Sequence, residues 1–144
     1  VSLQARKLGV RVNTSIEPGL APALCDRTMV EQVLLNLARN AMQAMDDPGV
    51  RNRVLDIRVR RAASNPHNGW IEFAVTDVGT GIPPEVAEKL FTPFFTTRPE
   101  GMGLGLSMCR TVIEQHGGFL GFAPNEPHGT VFTFTLPVNN GATS

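Results

Sequence analysis

The chain carries no net charge and contains no long run of apolar residues. Thirteen basic and thirteen acidic residues cancel, so no overall electric field draws the protein to nucleic acid or to an anionic membrane. No apolar stretch approaches the roughly 20 residues that a membrane span needs. Any affinity for phosphate must therefore come from local geometry, and we expect no nucleic-acid partner and no direct membrane contact by this chain.

Cysteine is scarce, and the amino end has neither an initiating methionine nor the apolar stretch of a signal peptide. Cys25 and Cys109 lie beside apolar residues without metal-ligand spacing, which predicts buried reduced thiols. We therefore expect a cytoplasmic piece of a longer protein. Its length suits a single α/β domain, predicted over residues 1–138, with a flexible tail over residues 139–144.

Apolar periodicity predicts the helices and strands. Alternation predicts strands near residues 10–16, 55–60, 70–75, 119–122 and 130–136, and helical spacing predicts helices over 28–45, 83–90 and 104–115. The stripe expected to face the core of the first helix is Val30, Val33, Leu34, Leu37, Ala41, Ala44 and Met45. Thr28 and Glu31 have the spacing of a capping box at its start. Hairpin-like strand pairs without regular βαβ alternation favour a two-layer α/β sandwich with a mixed sheet.

Three short segments combine residue types that suit a bound nucleotide: Asn36–Ala41 (NLARNA), Asp77–Pro83 (DVGTGIP) and Gly101–Leu106 (GMGLGL). In the first, Asn36, Asn40 and Gln43 fall within roughly 60° of one another on a helical wheel, beside the apolar stripe. An amide oxygen of Asn40 suits Mg²⁺, which takes hard oxygen ligands and keeps substrate phosphates. Two solvent-facing asparagines are the alternative.

The second segment places a carboxylate before a tight turn. Gly79 and Gly81 allow the backbone after Asp77 to approach a planar ligand. A carboxylate at that point can accept from the exocyclic amine of adenine and would repel the carbonyl of guanine. An ordinary Asp-x-Gly turn is the alternative for this segment taken alone.

The third segment places Gly101, Gly103 and Gly105 before a helix, where free amides and the positive helix end can meet phosphates. It lacks the spacing of a dinucleotide fingerprint, and the chain has no Walker lysine.

Together and in this order, the segments resemble the ATP-binding catalytic domain of sensor histidine kinases, within the gyrase, chaperone, histidine kinase and mismatch-repair ATPase superfamily. The resemblance covers nearly the whole chain. It implies a Bergerat-type fold, with a mostly antiparallel sheet covered on one face by about three helices, which binds ATP and Mg²⁺. It also implies that Asn40 is the magnesium residue and Asn36 its neighbour. Gln43 stands where related kinases often carry a basic phosphate ligand, so the source of charge compensation stays open.

The resemblance extends to a phenylalanine box and a lid. Phe95 belongs to Phe91–Phe95, which resembles the box, although packing into the core is its alternative. Arg98 is the cation of the short lid that follows, and we expect it to meet the triphosphate or the charge that develops during transfer. Catalysis is thus expected from Asn36, Asn40 and Arg98. Contacts to the nucleotide are expected from those three and from Gln43, Asp77, Gly79, Gly81, Ile82, Phe95, Gly101, Met102, Gly103, Leu104, Gly105, Leu106 and Thr130.

Two absences bear on the reaction. Hydrolytic members of the superfamily carry a glutamate where this chain has Asn36, and general-base help is worth about 10²–10⁴-fold in rate, so fast ATP hydrolysis is not expected. His67, His116 and His128 lack the helical acidic context of a phosphoacceptor, and His116 is expected to cap its helix. The substrate histidine is therefore expected on a separate dimerisation and phosphoacceptor domain, with a response regulator downstream.

Three alternative functions stay open from the sequence. They are a hydrolytic ATPase of the same superfamily, a serine/threonine kinase of the anti-sigma type, and a regulatory module that binds nucleotide without transferring phosphate.

Overall fold

The computed structural model describes residues 6–7, 9–19, 26–61, 70–89 and 105–137. Five strands form one sheet in the order β1-β2-β3-β5-β4, where β1 is Arg11–Ile16, β2 is Val54–Arg61, β3 is Trp70–Thr76, β4 is Leu120–Pro124 and β5 is Thr130–Pro137. The helices are α1 (Arg27–Met45), α2 (Pro84–Ala87) and α3 (Gly105–Gln115). Only the β1–β2 pair is parallel among these strands. The mixed, mostly antiparallel sheet with helices on one face confirms the predicted fold class.

Strand β5 shows how the alternating sequence builds the sheet. Phe132, Phe134 and Leu136 are buried, whereas the residues between them are half-buried on the opposite face. Phe134 stacks on Phe73 of the neighbouring strand, with ring centroids 4.6 Å apart. Strand β5 therefore has one face in the core and one face that is partly exposed.

Helix α1 begins before the predicted capping box. Asp26 is its N-cap, and the Asp26 carboxylate accepts from the backbone N–H of Met29 at 3.1 Å. The capping box predicted for Thr28 and Glu31 is therefore wrong. Both Asp26 and Thr28 are suitable N-cap residue types, and the sequence pattern alone did not distinguish them.

The buried surface of α1 is wider than the predicted stripe. Ala38 and Met42 are buried although the stripe left them out, whereas Leu34 and Ala44 are only half-buried. Helix α3 packs beside α1 in addition to the sheet, so α1 has buried neighbours in two directions. A single-stripe pattern does not anticipate this second contact.

The end of α3 is tied to the start of α1 by His116. Its Nδ1–H donates to the Val112 carbonyl at 2.7 Å, which confirms the predicted capping role. Its Nε2 accepts from the backbone N–H of Asp26 at 2.9 Å. Because one nitrogen donates and the other accepts, the ring is neutral in this arrangement.

Candidate nucleotide site

Asp77 lies directly after β3 and is only 2% exposed. With Thr130, it forms the pair of buried polar side chains found within the described part of the chain. Its Oδ1 accepts from the backbone N–H groups of Gly79 at 2.8 Å and Thr130 at 3.2 Å. Among the described residues, both backbone bonds reach Oδ1, which gives the carboxylate a fixed orientation and leaves Oδ2 as the oxygen proposed to accept from a ligand.

The electrostatic setting of Asp77 is that of a desolvated acid. Burial raises its pKa above the ordinary value, and the hydrogen bonds from Gly79 and Thr130, together with the nearby His128, act in the opposite direction. A ligand N–H donor would replace part of the hydration that this carboxylate has lost. The site is therefore suited to a ligand that presents a hydrogen-bond donor to a buried acid.

The turn after Asp77 lies against helix α1. The backbone N–H of Thr80 donates to the Ala44 carbonyl at 3.3 Å, and a Cβ on Gly79 would lie 2.6 Å from that oxygen. Glycine at position 79 is thus required by contact with the helix, and the approach to a ligand predicted for this position stays a prediction. Gly81 has φ of +83°, a left-handed conformation that favours glycine.

The turn between β4 and β5 holds the same segment from the other side. The Asn125 side chain donates to the Asp77 carbonyl at 3.0 Å, and His128 Nδ1–H donates to the Gly79 carbonyl at 3.1 Å. A Cβ on Gly129 would overlap the Asp77 carbonyl. The sequence contains no local signal for Asn125 or His128, which lie about 50 residues beyond their partners.

Asn36 contacts α3 through the thiol of Cys109. Cys109 is 1% exposed, and its Sγ–H donates to the Val33 carbonyl at 4.0 Å. Burial raises the pKa of this thiol to about 11, and a hydrogen bond from the Asn36 side chain acts in the opposite direction. The predicted buried reduced thiol is confirmed for Cys109, whereas Cys25 lies outside the described residues. The catalytic role expected for Asn36 stays a prediction.

Helix α1 therefore connects the three sequence segments. Near Asn36, α1 contacts α3, the helix that begins at Gly105. At Ala44, α1 contacts the turn that follows Asp77. Eight residues of α-helix separate Asn36 from Ala44, a rise of about 12 Å. Asn40 lies midway between them and is half-buried. The turn after Asp77 thus contacts α1 one helical turn beyond Asn40.

The other predicted site residues divide into two groups. Ile82 and Leu106 are half-buried and pack against the core. Gln43 is half-buried on α1. Thr130 is buried, and its backbone N–H donates to the Asp77 carboxylate. Six lie outside the described residues: Phe95, Arg98, Gly101, Met102, Gly103 and Leu104. Their predicted roles stay predictions.

The donor set around Asn40 suits a metal that arrives with phosphate. Within the described ranges, no group of at least three His, Cys, Asp or Glu side chains could hold a metal ion. A half-buried amide oxygen that shares Mg²⁺ with phosphates and waters needs no such cluster. Asn40 therefore fits a magnesium ion bound through nucleotide. In the same ranges, no helix has the length and apolar character needed to span a bilayer.

Comparison with known proteins agrees with this geometry. The family described as "Histidine kinase-, DNA gyrase B-, and HSP90-like ATPase" matches residues 25–140. The chain is 41% identical over 134 residues to the C4-dicarboxylate transport sensor protein DctS of Rhodobacter capsulatus, covering 93% of this chain and 20% of that protein. It is 41% identical over 133 residues to the sensor protein FixL of Bradyrhizobium diazoefficiens, covering 92% and 25%.

Solved structures with the same fold are histidine kinases. The nucleotide-free catalytic domain of ThkA superposes with a TM-score of 0.77 at 33% identity, covering 95% of this chain and 86% of that one. ThkA in complex with the response regulator TrrA gives 0.74 at 32%, covering 98% and 38%. Full-length ShkA in complex with AMPPNP gives 0.77 at 25%, covering 96% and 28%.

The chain belongs to the family of histidine kinase-, DNA gyrase B- and HSP90-like ATPases, and it has the fold of a histidine kinase catalytic domain. The resemblance noted in the sequence is therefore confirmed. The chain spans only part of the length of these curated relatives, 20% of DctS and 25% of FixL.

Proposed function

We propose that this chain binds Mg-ATP and transfers the γ-phosphoryl group to a histidine on a dimerisation and phosphoacceptor domain that lies outside it. The observation that carries the proposal is the fixed carboxylate of Asp77. Two backbone N–H groups hold its Oδ1 at 2.8 and 3.2 Å, which leaves Oδ2 for the ligand. The turn that carries it rests on α1, the helix that also bears Asn40.

In this proposal, Asp77 recognises the adenine base. Its Oδ2 accepts from the exocyclic amine of adenine, so an otherwise costly buried carboxylate gains a hydrogen-bond partner. Guanine would place a carbonyl against the same oxygen and leave two acceptors facing each other. The AMPPNP complex of ShkA, a protein with the same fold, supports an adenine nucleotide as the ligand.

Asn40 lies at the phosphate end, where its amide oxygen would hold Mg²⁺. When bound, the ion would neutralise phosphate charge. The glycine-rich segment Gly101–Leu106, which leads into α3, and Arg98 are proposed to meet the phosphates, as the sequence predicted. Positioning and charge neutralisation account for most of the catalysis in phosphoryl transfer. The acceptor imidazole attacks the γ-phosphorus, the bond to the β,γ-bridging oxygen breaks, and ADP leaves.

Asn36 supports transfer over hydrolysis. Its side chain hydrogen-bonds the Cys109 sulfur, and an amide cannot take a proton from water. A neutral imidazole needs no such base because its nitrogen is already nucleophilic. We propose that a response regulator then receives the phosphoryl group, a proposal supported by the solved complex of ThkA with TrrA.

The test is to mix the chain with the phosphoacceptor domain of its parent protein and γ-labelled ATP. We expect an acid-labile, base-stable label on the acceptor that requires Mg²⁺. Asp77→Asn and Asn40→Ala should abolish it, whereas Arg39→Ala, which changes an exposed side chain on the same helix, should retain it. An acid-stable label would indicate a serine/threonine kinase, and steady phosphate release by the isolated chain would indicate a hydrolase. ATP binding without any transfer would indicate a regulatory module.

A further inference from the structure

We propose that the turn between β4 and β5 is a clamp that positions Asp77 for adenine recognition, with Asn125 and His128 as its positioning residues. The inference rests on the proposed nucleotide function. It adds to that function two residues that the nucleotide itself does not need to touch.

Asn125 holds the main chain of Asp77. Its Nδ2–H donates to the Asp77 carbonyl at 3.0 Å, while its own backbone N–H donates to the Gly129 carbonyl at 3.0 Å. The Asp77 N–H donates to the Thr130 carbonyl, also at 3.0 Å. Both backbone groups of the buried Asp77 are thus satisfied by the segment from Asn125 to Thr130. Loss of the Asn125 amide would leave a buried carbonyl without this partner.

His128 holds the next part of the turn. Its Nδ1 lies 3.1 Å from the Gly79 carbonyl, and because a carbonyl can only accept, Nδ1 carries the proton. The Gly79 N–H donates to Asp77 Oδ1 at 2.8 Å. Gly79 is therefore held by Asp77 on one side and by His128 on the other. The imidazole thereby fixes the peptide that orients the carboxylate.

His128 also acts on Asp77 through charge. Among the described residues, Asp77 is the titratable group it faces from the β3 turn, and a positive charge on His128 favours the ionised carboxylate. Glu126 is the acid within the turn that carries His128, and α1 meets the turn after Asp77 through the main chain of Ala44. Because these contacts involve the base-reading turn rather than Asn40, the clamp should affect recognition of the base and leave magnesium dependence unchanged.

The experiment measures the affinity of the full chain for ADP and GDP without magnesium, by calorimetry, in wild type, Asn125→Ala, His128→Ala and His128→Asn. We expect Asn125→Ala and His128→Ala to weaken ADP binding about 5- to 30-fold and to narrow the preference for ADP over GDP. His128→Asn restores a donor near the position of Nδ1, so it should bind ADP within about twofold of wild type at neutral pH.

The pH profile separates positioning from a purely structural role. His128→Asn keeps the donor but cannot become charged, so Asp77 should protonate at higher pH in this variant. Its ADP affinity should therefore begin to fall at a higher pH than in wild type as the solution is acidified. Asn13→Ala, which removes an exposed side chain on β1, is the control and should leave both the affinity and the profile unchanged.

Unchanged ADP affinity in folded Asn125→Ala and His128→Ala would overturn the clamp alone, provided that wild type binds ADP. A wild-type chain that binds no adenine nucleotide would overturn the nucleotide function and this inference together. His128 is exposed, so its substitution should leave a folded protein even if Asn125→Ala does not fold. Thermal unfolding of each variant without ligand establishes that point.

Discussion

The carbonyl oxygen of Ala44 lies 2.6 Å from the point that a Cβ on Gly79 would occupy. This close approach seats the turn after Asp77 directly on α1, one helical turn beyond Asn40. The same helix meets α3 through Val33 and Asn36. The spacing between the proposed base-reading and metal-binding groups is therefore set by one rigid helix rather than by a loop.

Replacing Gly79 with alanine should disturb this contact. The new Cβ would meet the main chain of Ala44, which cannot move without moving α1. We expect a loss of about 1–3 kcal/mol in the free energy of unfolding, together with weaker ATP binding, measured by urea unfolding and calorimetry. Gly117→Ala is the matched control, because φ there is +82° but the space around it is open. It should cost about 1–2 kcal/mol through backbone strain and leave ATP affinity unchanged.

Asp77→Asn should abolish adenine binding without destabilising the domain at neutral pH. The amide can still accept from Gly79 and Thr130, but it presents an N–H where the carboxylate presents Oδ2. Calorimetry with ADP tests the binding, and thermal unfolding without ligand tests the stability. A variant that binds ADP as wild type does would contradict the proposed role of Asp77 in reading the base.

The difference in unfolding free energy between Asp77→Asn and wild type should depend on pH in a defined direction. The pKa of Asp77 is raised by folding above its ordinary value of 3.8, so the native state holds this proton more tightly than the unfolded state does. The corresponding stabilisation is complete below the ordinary value and is lost as pH rises through the raised pKa. Asp77→Asn lacks this loss, so its unfolding free energy relative to wild type should increase from about pH 4 towards pH 7. A flat difference in urea unfolding over that range would contradict the desolvated carboxylate.

Asn40→Ala should weaken ATP binding only when magnesium is present. Loss of an oxygen ligand is expected to reduce affinity for Mg-ATP at least about tenfold, since even the outer partners of metal ligands contribute 10- to 100-fold. Affinity for ADP in the presence of a chelator should stay at the wild-type value. Arg39→Ala changes the exposed neighbour and serves as the control. Equal losses with and without magnesium would indicate a structural defect instead.

Cys109 should be inert in the native protein. It is 1% exposed and its pKa is raised to about 11, so roughly one thiol in a thousand would be ionised at pH 8. We expect iodoacetamide to label this residue at least about 100-fold more slowly in the native protein than in urea, as measured by mass spectrometry of its peptide. Equal rates would show that the α1–α3 contact opens readily.

Much of the fold follows from local periodicity. The alternation in β5 and the helical spacing in α1 depend on neighbouring residues, so the sequence predicted both elements and the mixed sheet. The start of α1 was misplaced because Asp26 and Thr28 are both suitable caps. The second buried side of α1, at Ala38 and Met42, depends on the packing of α3, which no local pattern contains.

The candidate site divides in the same way. Asp77 and Asn40 could be selected because a carboxylate before a glycine turn and an amide on a helix edge have recognisable chemistry. Asn125 and His128 could not, since each acts through the main chain of a partner about 50 residues away. The contact that requires glycine at position 79 could not be predicted either, because the clashing atom belongs to Ala44 on another element.

The order of residues alone determined the helices and strands, the family and the chemical character of the groups proposed to bind a nucleotide. Each of these depends on side-chain type and short-range spacing. The tertiary structure decided which oxygen of Asp77 accepts from Gly79 and Thr130, what holds that carboxylate in place and where its turn meets α1. Those properties arise from contacts between segments that are distant in sequence, and such contacts form only when the sheet, α1 and the β4–β5 turn pack against one another.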